Sequence, residues 1–367
     1  MELIIHTLKL IYSNIDLEKL SKLFFIIIFI LIILSKNLFN NKNNFLIEEI
    51  KFENNYNYYI NYCNYRYNKI YKNVYNSDEI NTKKNLELFQ FNLSAAICVI
   101  AKQENLYIKE FIEYYKNLGI KKIIIYDNND LKNENFEKIL KNEIIDGFVK
   151  IIDFRGLISP QIKAYNECYE KNKYEFDWIA FFDVDEFLFL NNCSNIVRFL
   201  SSQKFKKCSS ILINWRIYGD NNNIYYKPKL VQKRFTKSFI FSEKDKESIY
   251  FYAAAKSIVR GGLNISWAHF PHFLNNTNIC RPDGTLVKEP LSSPQYSSAY
   301  IKHYTTKSTE EYLIKIFKGD VYYSDHLNLT NFLNLIKYYY FFFNKISKKK
   351  LLYLKHFLKI NLKKFFE

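Results

Sequence analysis

The chain has 367 residues and a formal net charge of +16, from 53 Lys and Arg against 37 Asp and Glu. A length of this order holds one α/β domain of about 200–250 residues with appendages at its ends. The cationic surplus suits anionic surfaces, but no zinc-finger spacing and no RNP-like signature accompanies it, so the common nucleic-acid-binding modules are excluded and no nucleic-acid partner is expected.

In chain order, the first feature is the uninterrupted apolar run Leu23 to Leu34, flanked by Lys19, Lys22 and Lys36. The run is shorter than the roughly 20 residues that span hydrocarbon. Extended through Leu38 and Phe39, with Lys36 snorkelling, it predicts an uncleaved single-pass signal-anchor over about residues 23–39 and a membrane-bound protein. Residues 45–92 follow as an Asn- and Tyr-rich stem or peripheral layer, after an N-terminal segment of 1–44.

Four strand-like runs come next, at Ala95 to Ile100, Lys122 to Tyr126, Val149 to Ile152 and Trp178 to Phe182. They are short, rich in Ile and Val, and not alternating, as strands buried on both faces of a parallel sheet should be. Between them, Leu106, Ile108, Phe111, Ile112, Tyr115 and Leu118 share one helical face that Gly119 can cap. Phe136, Ile139 and Leu140 suggest a second helix, and Ile162, Tyr165, Asn166 and Tyr169 a third that opens after Pro160. Alternating strands and helices predict an α/β fold, with a mixed, mainly parallel Rossmann-like sheet and helices on both faces. Ligands bind such sheets at the carboxyl ends of the strands.

Those ends read Lys102-Gln103-Glu104, Asp127-Asn128-Asn129-Asp130, Asp153-Phe154-Arg155 and Asp183-Val184-Asp185-Glu186. Carboxylates crowded as in the last of these repel unless a cation sits among them, and a divalent metal on oxygen ligands is the simplest such cation. No G-x-G-x-x-G follows the first strand and no P-loop motif occurs, so a phosphate ligand would have to be neutralised by metal and by basic side chains. Lys102, Arg155, Lys163, Arg234 and Lys256 are candidates. Asp127 reads equally as a group facing a nucleotide and as a turn cap.

The stretches Cys98 to Asn105 (C-V-I-A-K-Q-E-N), Tyr126 to Asp130 (Y-D-N-N-D) and Asp177 to Phe187 (D-W-I-A-F-F-D-V-D-E-F) together resemble glycosyltransferase family 92, related to family 2-like enzymes of the GT-A fold. The similarity continues at Lys256 to Arg260, His269-Phe270-Pro271, His303 to Ser308, Glu310 to Tyr312 and Lys315 to Gly319, and covers roughly Leu93 to Asp320. The resemblance implies a GT-A catalytic domain at 93–320 that moves a sugar from a nucleotide-diphosphate donor to an acceptor hydroxyl of a glycan or glycoconjugate, with inversion. It implies Mn²⁺ or Mg²⁺, Asp183 as the donor-side carboxylate and Asp185 as a metal ligand of the D-x-D motif. His269 or His303 would complete the metal shell or serve as the base, with Glu186 another candidate. Asp127, Glu104, Asp153, Lys102, Arg155, Lys163 and Lys256 would surround the donor.

Two alternatives compete: a metal-dependent phosphoryl-transfer or hydrolytic enzyme built on Asp153, Asp183 and Asp185, and a non-catalytic membrane-surface protein of the same fold. The six cysteines form no C-x-x-C pair, which argues against structural zinc and leaves disulfides open. Residues 321–367 read as basic aromatic helices that either pack on the catalytic domain or lie on a membrane.

Overall fold

The computed structural model describes residues 93–132, 134–239, 254–265, 278–287, 293–318 and 347–361. The four expected strands are present as β1 (Ala95–Ala101), β2 (Lys122–Asp127), β3 (Val149–Asp153) and β4 (Trp178–Phe181), with β1 parallel to both β2 and β4, and β2 parallel to β3. The connecting helices are α1 (Ile108–Leu118), the short pair α2 (Phe136–Ile139) and α3 (Lys141–Ile145), and α4 (Gln161–Asn172). Gly119 ends α1 in the left-handed region at φ 97°, where its N–H reaches back to the carbonyls of Tyr115 and Lys116. The Asn135 side chain caps α2 by accepting from the N–H groups of Glu137 and Lys138.

Successive strand residues face opposite sides of the sheet, and the core divides accordingly. Ile97, Val99, Ile123, Ile125, Trp178, Ala180 and Phe182 pack with Ile108, Phe111, Ile112 and Tyr115 of α1. Ala96, Cys98, Ile124, Tyr126, Ile179 and Phe181 pack with Ala164, Tyr165, Cys168 and Tyr169 of α4. Both faces are therefore dry, which explains why these strands read as continuous apolar runs.

The remaining strands are β5 (Glu186–Leu190), β6 (Ser210–Ile217), β7 (Ala255–Arg260), β8 (Ile279–Cys280) and β9 (Ala299–His303), with the short helices α5 (Ile196–Leu200) and α6 (Val231–Arg234) between them. The nine-stranded sheet runs β3-β2-β1-β4-β7-β6-β9-β5, with β8 beside β6. The sheet is mixed and mainly parallel, with five of its eight strand pairings parallel, but it does not follow a single Rossmann-like winding. β7 is antiparallel to β4 and to β6, and β5 is antiparallel to β9. The long strand β6 changes partners along its length. Its residues Ser210–Asn214 pair with β7, and Trp215–Ile217 pair with β9. The result is an α/β fold with a mixed sheet and flanking helices, in which the first four strands follow the parallel winding and β6 pairs in parallel with β8 and β9.

Two more helices complete the described residues, α7 (Thr309–Lys318) and α8 (Lys348–Asn361). Ser308 and Glu311 form a reciprocal box at the start of α7: the Ser308 N–H donates to Glu311 Oε2 at 3.2 Å, and the Glu311 N–H donates to Ser308 Oγ at 3.3 Å. The same carboxylate takes a bidentate pair from Arg234 at 2.7 Å and the Tyr107 hydroxyl at 2.7 Å, so α7 is clamped to α6 and to the residue preceding α1. Arg234, a candidate donor-binding cation by sequence, is thus committed to a buried structural pair. Helix α8 docks through Lys350, whose ammonium group lies 2.5 Å from Asp220 Oδ2 with both side chains buried. At that residue the basic C-terminal stretch packs inward.

The single-pass anchor expected near residues 23–39 is overturned: among the described residues no helix is long and apolar enough to cross a membrane. At about 1.5 Å per residue the uninterrupted run Leu23–Leu34 is itself too short for a hydrocarbon core of about 30 Å. That run, and the whole of 1–92, lies outside the described residues.

Disulfides join Cys98 of β1 to Cys168 of α4, and Cys208 to Cys280 of β8, at sequence separations of 70 and 72. Loops of that length give each crosslink up to about 4 kcal/mol in the chain-entropy account. Replacing Cys208 and Cys280 by Ser together should lower the urea midpoint markedly under oxidising conditions and leave the protein insensitive to further loss at that bond. Equal midpoints for variant and oxidised wild type would remove this bond from the stability account.

Burial would raise the Glu311 carboxyl, but the Arg234 guanidinium and the Ser308 and Tyr107 donors outweigh it and hold it below its usual value. Its contribution to stability is therefore present above the ordinary carboxylate value and lost as pH falls through the depressed one. Glu311→Gln should cost about 3–5 kcal/mol at neutral pH by stranding Arg234. The loss should shrink in acid, as measured by urea melts between pH 7 and pH 3.

Candidate functional site

In sheet order the chain winds outward from β1 through β2 to β3, and then places β4 on the opposite side of β1. That reversal opens a crevice at the carboxyl ends of β1 and β4. β4 leaves its ladder at Phe181, opposite Cys98, whereas β1 continues beside β2 as far as Ala101. Lys102-Gln103-Glu104 and Asp183-Val184-Asp185 are the segments at this switch point.

The turn from β4 into β5 is tightly held. The Glu186 N–H donates to the Asp183 carbonyl at 3.0 Å, and the Asp183 N–H donates to Glu186 Oε2 at 2.9 Å. From α1, the buried Tyr115 hydroxyl donates to the Glu186 carbonyl at 2.9 Å and accepts the Leu188 N–H at 3.0 Å. The pairing of β5 with β9 sets Glu186 directly opposite His303.

Each carboxylate of the turn meets a cation brought from elsewhere. Lys256 of β7 puts its Nζ 2.7 Å from Asp183 Oδ2 and 3.6 Å from Glu186 Oε2. Lys315 of α7 lies 2.6 Å from Asp185 Oδ2, Lys307 lies 3.7 Å from the same oxygen, and His303 Nε2 lies 3.5 Å from Asp185 Oδ1. The His303 ring packs against Trp215 of β6 with centroids 4.3 Å apart. Glu311 and Lys315 are four residues apart on α7 and therefore share a face, so the clamp that fixes the helix also aims Lys315.

The electrostatics follow from this burial. Burial would raise Asp185, but Lys315, Lys307 and His303 hold it well below the carboxylate range. Burial and the neighbouring aspartates push Glu186 well above that range, against the pull of Lys256. Lys256 is driven up by Asp183 and Glu186 despite its own burial, and His303 is pushed down chiefly by burial, leaving a neutral imidazole.

The other rim residues form a separate group. Asp127 closes a turn by accepting the Asn129 N–H at 2.9 Å, and burial raises it to about 6. Asp153 accepts the Arg155 side chain at 2.8 and 2.9 Å, which lowers it to about 2. Lys102 faces Asp130 at 3.5 Å, and Lys163 lies over the Phe154 ring at 5.5 Å. Among the basic residues singled out by sequence, Lys256 alone reaches the Asp183–Asp185 turn. His269 lies outside the described residues. Lys307 and Lys315, which sequence reasoning gave no role, are brought to Asp185 by the fold; both fall in stretches that carried the family resemblance.

The two-metal alternative loses its geometry. Asp153 ends β3 and Asp183 follows β4, with β2 and β1 between them. Three inter-strand steps amount to about 14 Å, against roughly 4 Å between the ions of a two-metal centre.

Whether a single divalent cation fits is a matter of donor chemistry. Asp183, Asp185 and His303 offer the oxygen and nitrogen donors that Mn²⁺ and Mg²⁺ accept, and Asp183 Oδ1 and Glu186 Oε1 are buried with no hydrogen-bond donor. The donor types fit. No group of three His, Cys, Asp or Glu ligands is assembled among the described residues, however, and lysines hold Asp183 Oδ2 and Asp185 Oδ2.

Paired aspartates and converging cations thus meet at the switch-point crevice. The chain belongs to glycosyltransferase family 92, whose family model matches residues 92–331. A family 92 protein of Arabidopsis thaliana is 30% identical over 118 residues, covering 32% of this chain and 20% of that protein. One of Ricinus communis is 25% identical over 100 residues, covering 27% and 18%. The matches thus span a fifth or less of those relatives. The crystal structure of S. aureus TarS 1-349 aligns over 67% of this chain and 72% of its own, at 14% identity and a TM-score of 0.35, too remote to carry function across.

Lys256→Met should destabilise the fold by about 1–3 kcal/mol, because it leaves the partly buried Asp183 carboxylate without its counter-ion. Adding Asp183→Asn should recover part of that loss in a double-mutant cycle of urea melts. Strictly additive losses would mean that the two side chains do not interact.

Proposed function

We propose that this chain is a glycosyltransferase that moves a sugar from a nucleotide-diphosphate donor to a hydroxyl of a glycan or glycoconjugate, with inversion, on a GT-A-type domain spanning about residues 93–320. The observation that carries the proposal is the Asp183–Asp185 turn at the switch point, surrounded by Lys256, Lys307, Lys315 and His303, in a chain of family 92.

The residues divide the work. Asp185 is anionic at neutral pH and buried, whereas Asp183, with a third of its side chain exposed, is the carboxylate nearest an incoming donor. Mn²⁺ or Mg²⁺ would be held by Asp185 with Asp183 and His303, and would supply Lewis acidity toward a diphosphate. His303 is held neutral and so keeps a nitrogen lone pair for a cation or a proton. Lys256 and Lys315 stabilise negative charge as it develops on the leaving group. Glu186 is fully buried and its carboxylate is engaged by the Asp183 N–H and Lys256, so it positions the turn rather than touching the acceptor. Asp127, Asp153, Arg155, Lys102 and Glu104 lie at or just after the adjoining strand ends, with Lys163 of α4 over Phe154 beside them, where the nucleotide would extend. The two disulfides support maturation in an oxidising compartment.

The test is transfer from a panel of radiolabelled UDP- and GDP-sugars to glycan acceptors, with and without Mn²⁺. Asp185→Asn should retain its circular dichroism spectrum and lose about a hundredfold or more in turnover, the usual scale for removing one pre-organised electrostatic group. Near-wild-type turnover of this variant at saturating donor would remove Asp185 from the reaction.

A further inference from the structure

A second group of charges lies on the sheet face opposite the one that carries His303. Side chains alternate along β9, so Ala299 and Ile301 join the main core with Leu188 and Leu190 of β5, whereas Tyr300 and Lys302 point the other way. Arg216 of β6 is the register partner of Lys302, which sets two cations side by side on that face. Aromatic rings hold them there. The Arg216 guanidinium carbon lies 5.2 Å from the Tyr300 ring centre and 5.8 Å from that of Tyr296, and Lys302 Nζ lies 4.6 Å from that of Phe189. Phe189 and Tyr300 are opposite one another across β5 and β9, with ring centres 4.9 Å apart. The Tyr296 hydroxyl donates to the Trp215 carbonyl at 3.0 Å, and Arg216 Nε donates to Ser238 Oγ at 2.9 Å. What the two cations lack is an anion. Among the described residues neither forms an ion pair with a carboxylate, and Arg216 spends only Nε of its fork on a hydrogen bond. Burial, and then Arg216, pushes the Lys302 ammonium below its usual value with no carboxylate opposing them. Like charges opposite one another across a ladder are destabilising, the more so when both are partly buried as here. Such a local conflict is the mark of a functional site, and a ligand that brings negative charge resolves it.

We propose that Arg216 and Lys302, on the floor made by Phe189, Tyr296 and Tyr300, bind an acidic sugar unit of a glycan, one that carries a carboxylate, sulfate or phosphate. The sugar rests on the glycosyltransferase reading of the chain, whereas the acid rests on the two cations alone. The free end of the Arg216 fork suits two oxygens of one oxyanion, and Lys302 adds a point charge beside it. Phe189 and Tyr296 are partly exposed and offer ring surface next to the cations for the sugar that bears the acid. The subsite lies back to back with the Asp183–Asp185 turn across the same strands. Lys302 immediately precedes His303 in β9, and Arg216 follows Trp215, whose ring packs on His303. It therefore grips a part of the glycan other than the reacting hydroxyl, and acts on acceptor affinity rather than on the transfer step.

Calorimetric titration of the full chain tests this with oligogalacturonate, a heparin-derived sulfated oligosaccharide and a phosphorylated mannose oligosaccharide, which separate the three acids. A neutral maltooligosaccharide and inorganic sulfate and phosphate are the controls. The wild type should bind at least one acidic chain about tenfold or more tightly than the neutral chain and the free anions, and more weakly as salt rises, since the contact is partly exposed. Arg216→Gln combined with Lys302→Gln should lose about tenfold or more of that affinity, whereas Lys302→Arg should stay within about threefold of wild type. Failure to bind any acidic chain, equal affinity for acidic and neutral chains, free sulfate or phosphate bound as tightly as the oligosaccharides, or undiminished binding by the folded double variant overturns the proposal. If the double variant does not fold, the same titrations are made on Arg216→Gln and Lys302→Gln singly. Wild-type affinity in both, or failure of both to fold, overturns the subsite in favour of a structural role. Wild-type protein that binds an acidic chain through these two residues, yet transfers sugar from no donor, keeps the subsite and overturns the glycosyltransferase reading instead.

Discussion

Three carboxylates within four residues, with Asp185 and Glu186 almost wholly removed from water, are the constraint around which this fold is arranged. Isolated, such charges would be untenable in the interior. They persist because the chain returns to them from β7 with Lys256, from β9 with His303, from the turn after β9 with Lys307 and from α7 with Lys315. The mixed second half of the sheet makes those returns available. β7 runs against β4 and so brings Lys256, near its amino end, to the turn that follows β4, whereas β9 runs in the same sense as β4 and brings His303 there at its carboxyl end.

The same constraint organises the periphery. Arg234, Glu311, Tyr107 and Ser308 form a second, largely buried polar cluster joined by mutual hydrogen bonds, and its effect is to hold α7 against α6 and the residue before α1. Tyr115 does similar work from α1, since its hydroxyl bridges two backbone groups of β5. Neither cluster touches the proposed donor. Both decide where the groups that would touch it can sit, which is how packing far from the reaction controls chemistry at the carbon centre.

The parallel half of the fold was legible in the sequence because each strand is buried on both faces and reads as an apolar run, and each helix shows a one-sided stripe. The second half was not. β5 begins at Glu186, only five residues after β4 ends, so the two strands merge into one apolar stretch interrupted by acids. β8 is two residues long and carries no pattern of its own. At the site, crowding made Asp183 and Asp185 visible, whereas Lys307 and Lys315 look like ordinary solvated lysines until tertiary folding brings them to a carboxylate. Arg234 shows the reverse error: a basic residue in a plausible place that is consumed by an ion pair with Glu311. Neighbouring charge in three dimensions, absent from local sequence, decides both cases.

The central claim is that a nucleotide-diphosphate donor binds over the Asp183–Asp185 turn and reaches the lysines that surround it. Lysine acylation read by mass spectrometry, with and without a saturating nucleotide sugar and Mn²⁺, tests this directly, because Lys315 is a third exposed at the site whereas Lys171 is exposed on the outer surface of α4. The account predicts that donor sharply lowers labelling at Lys315 and leaves Lys171 unchanged. Labelling of Lys315 that is indifferent to every donor, in protein that transfers sugar, would contradict it.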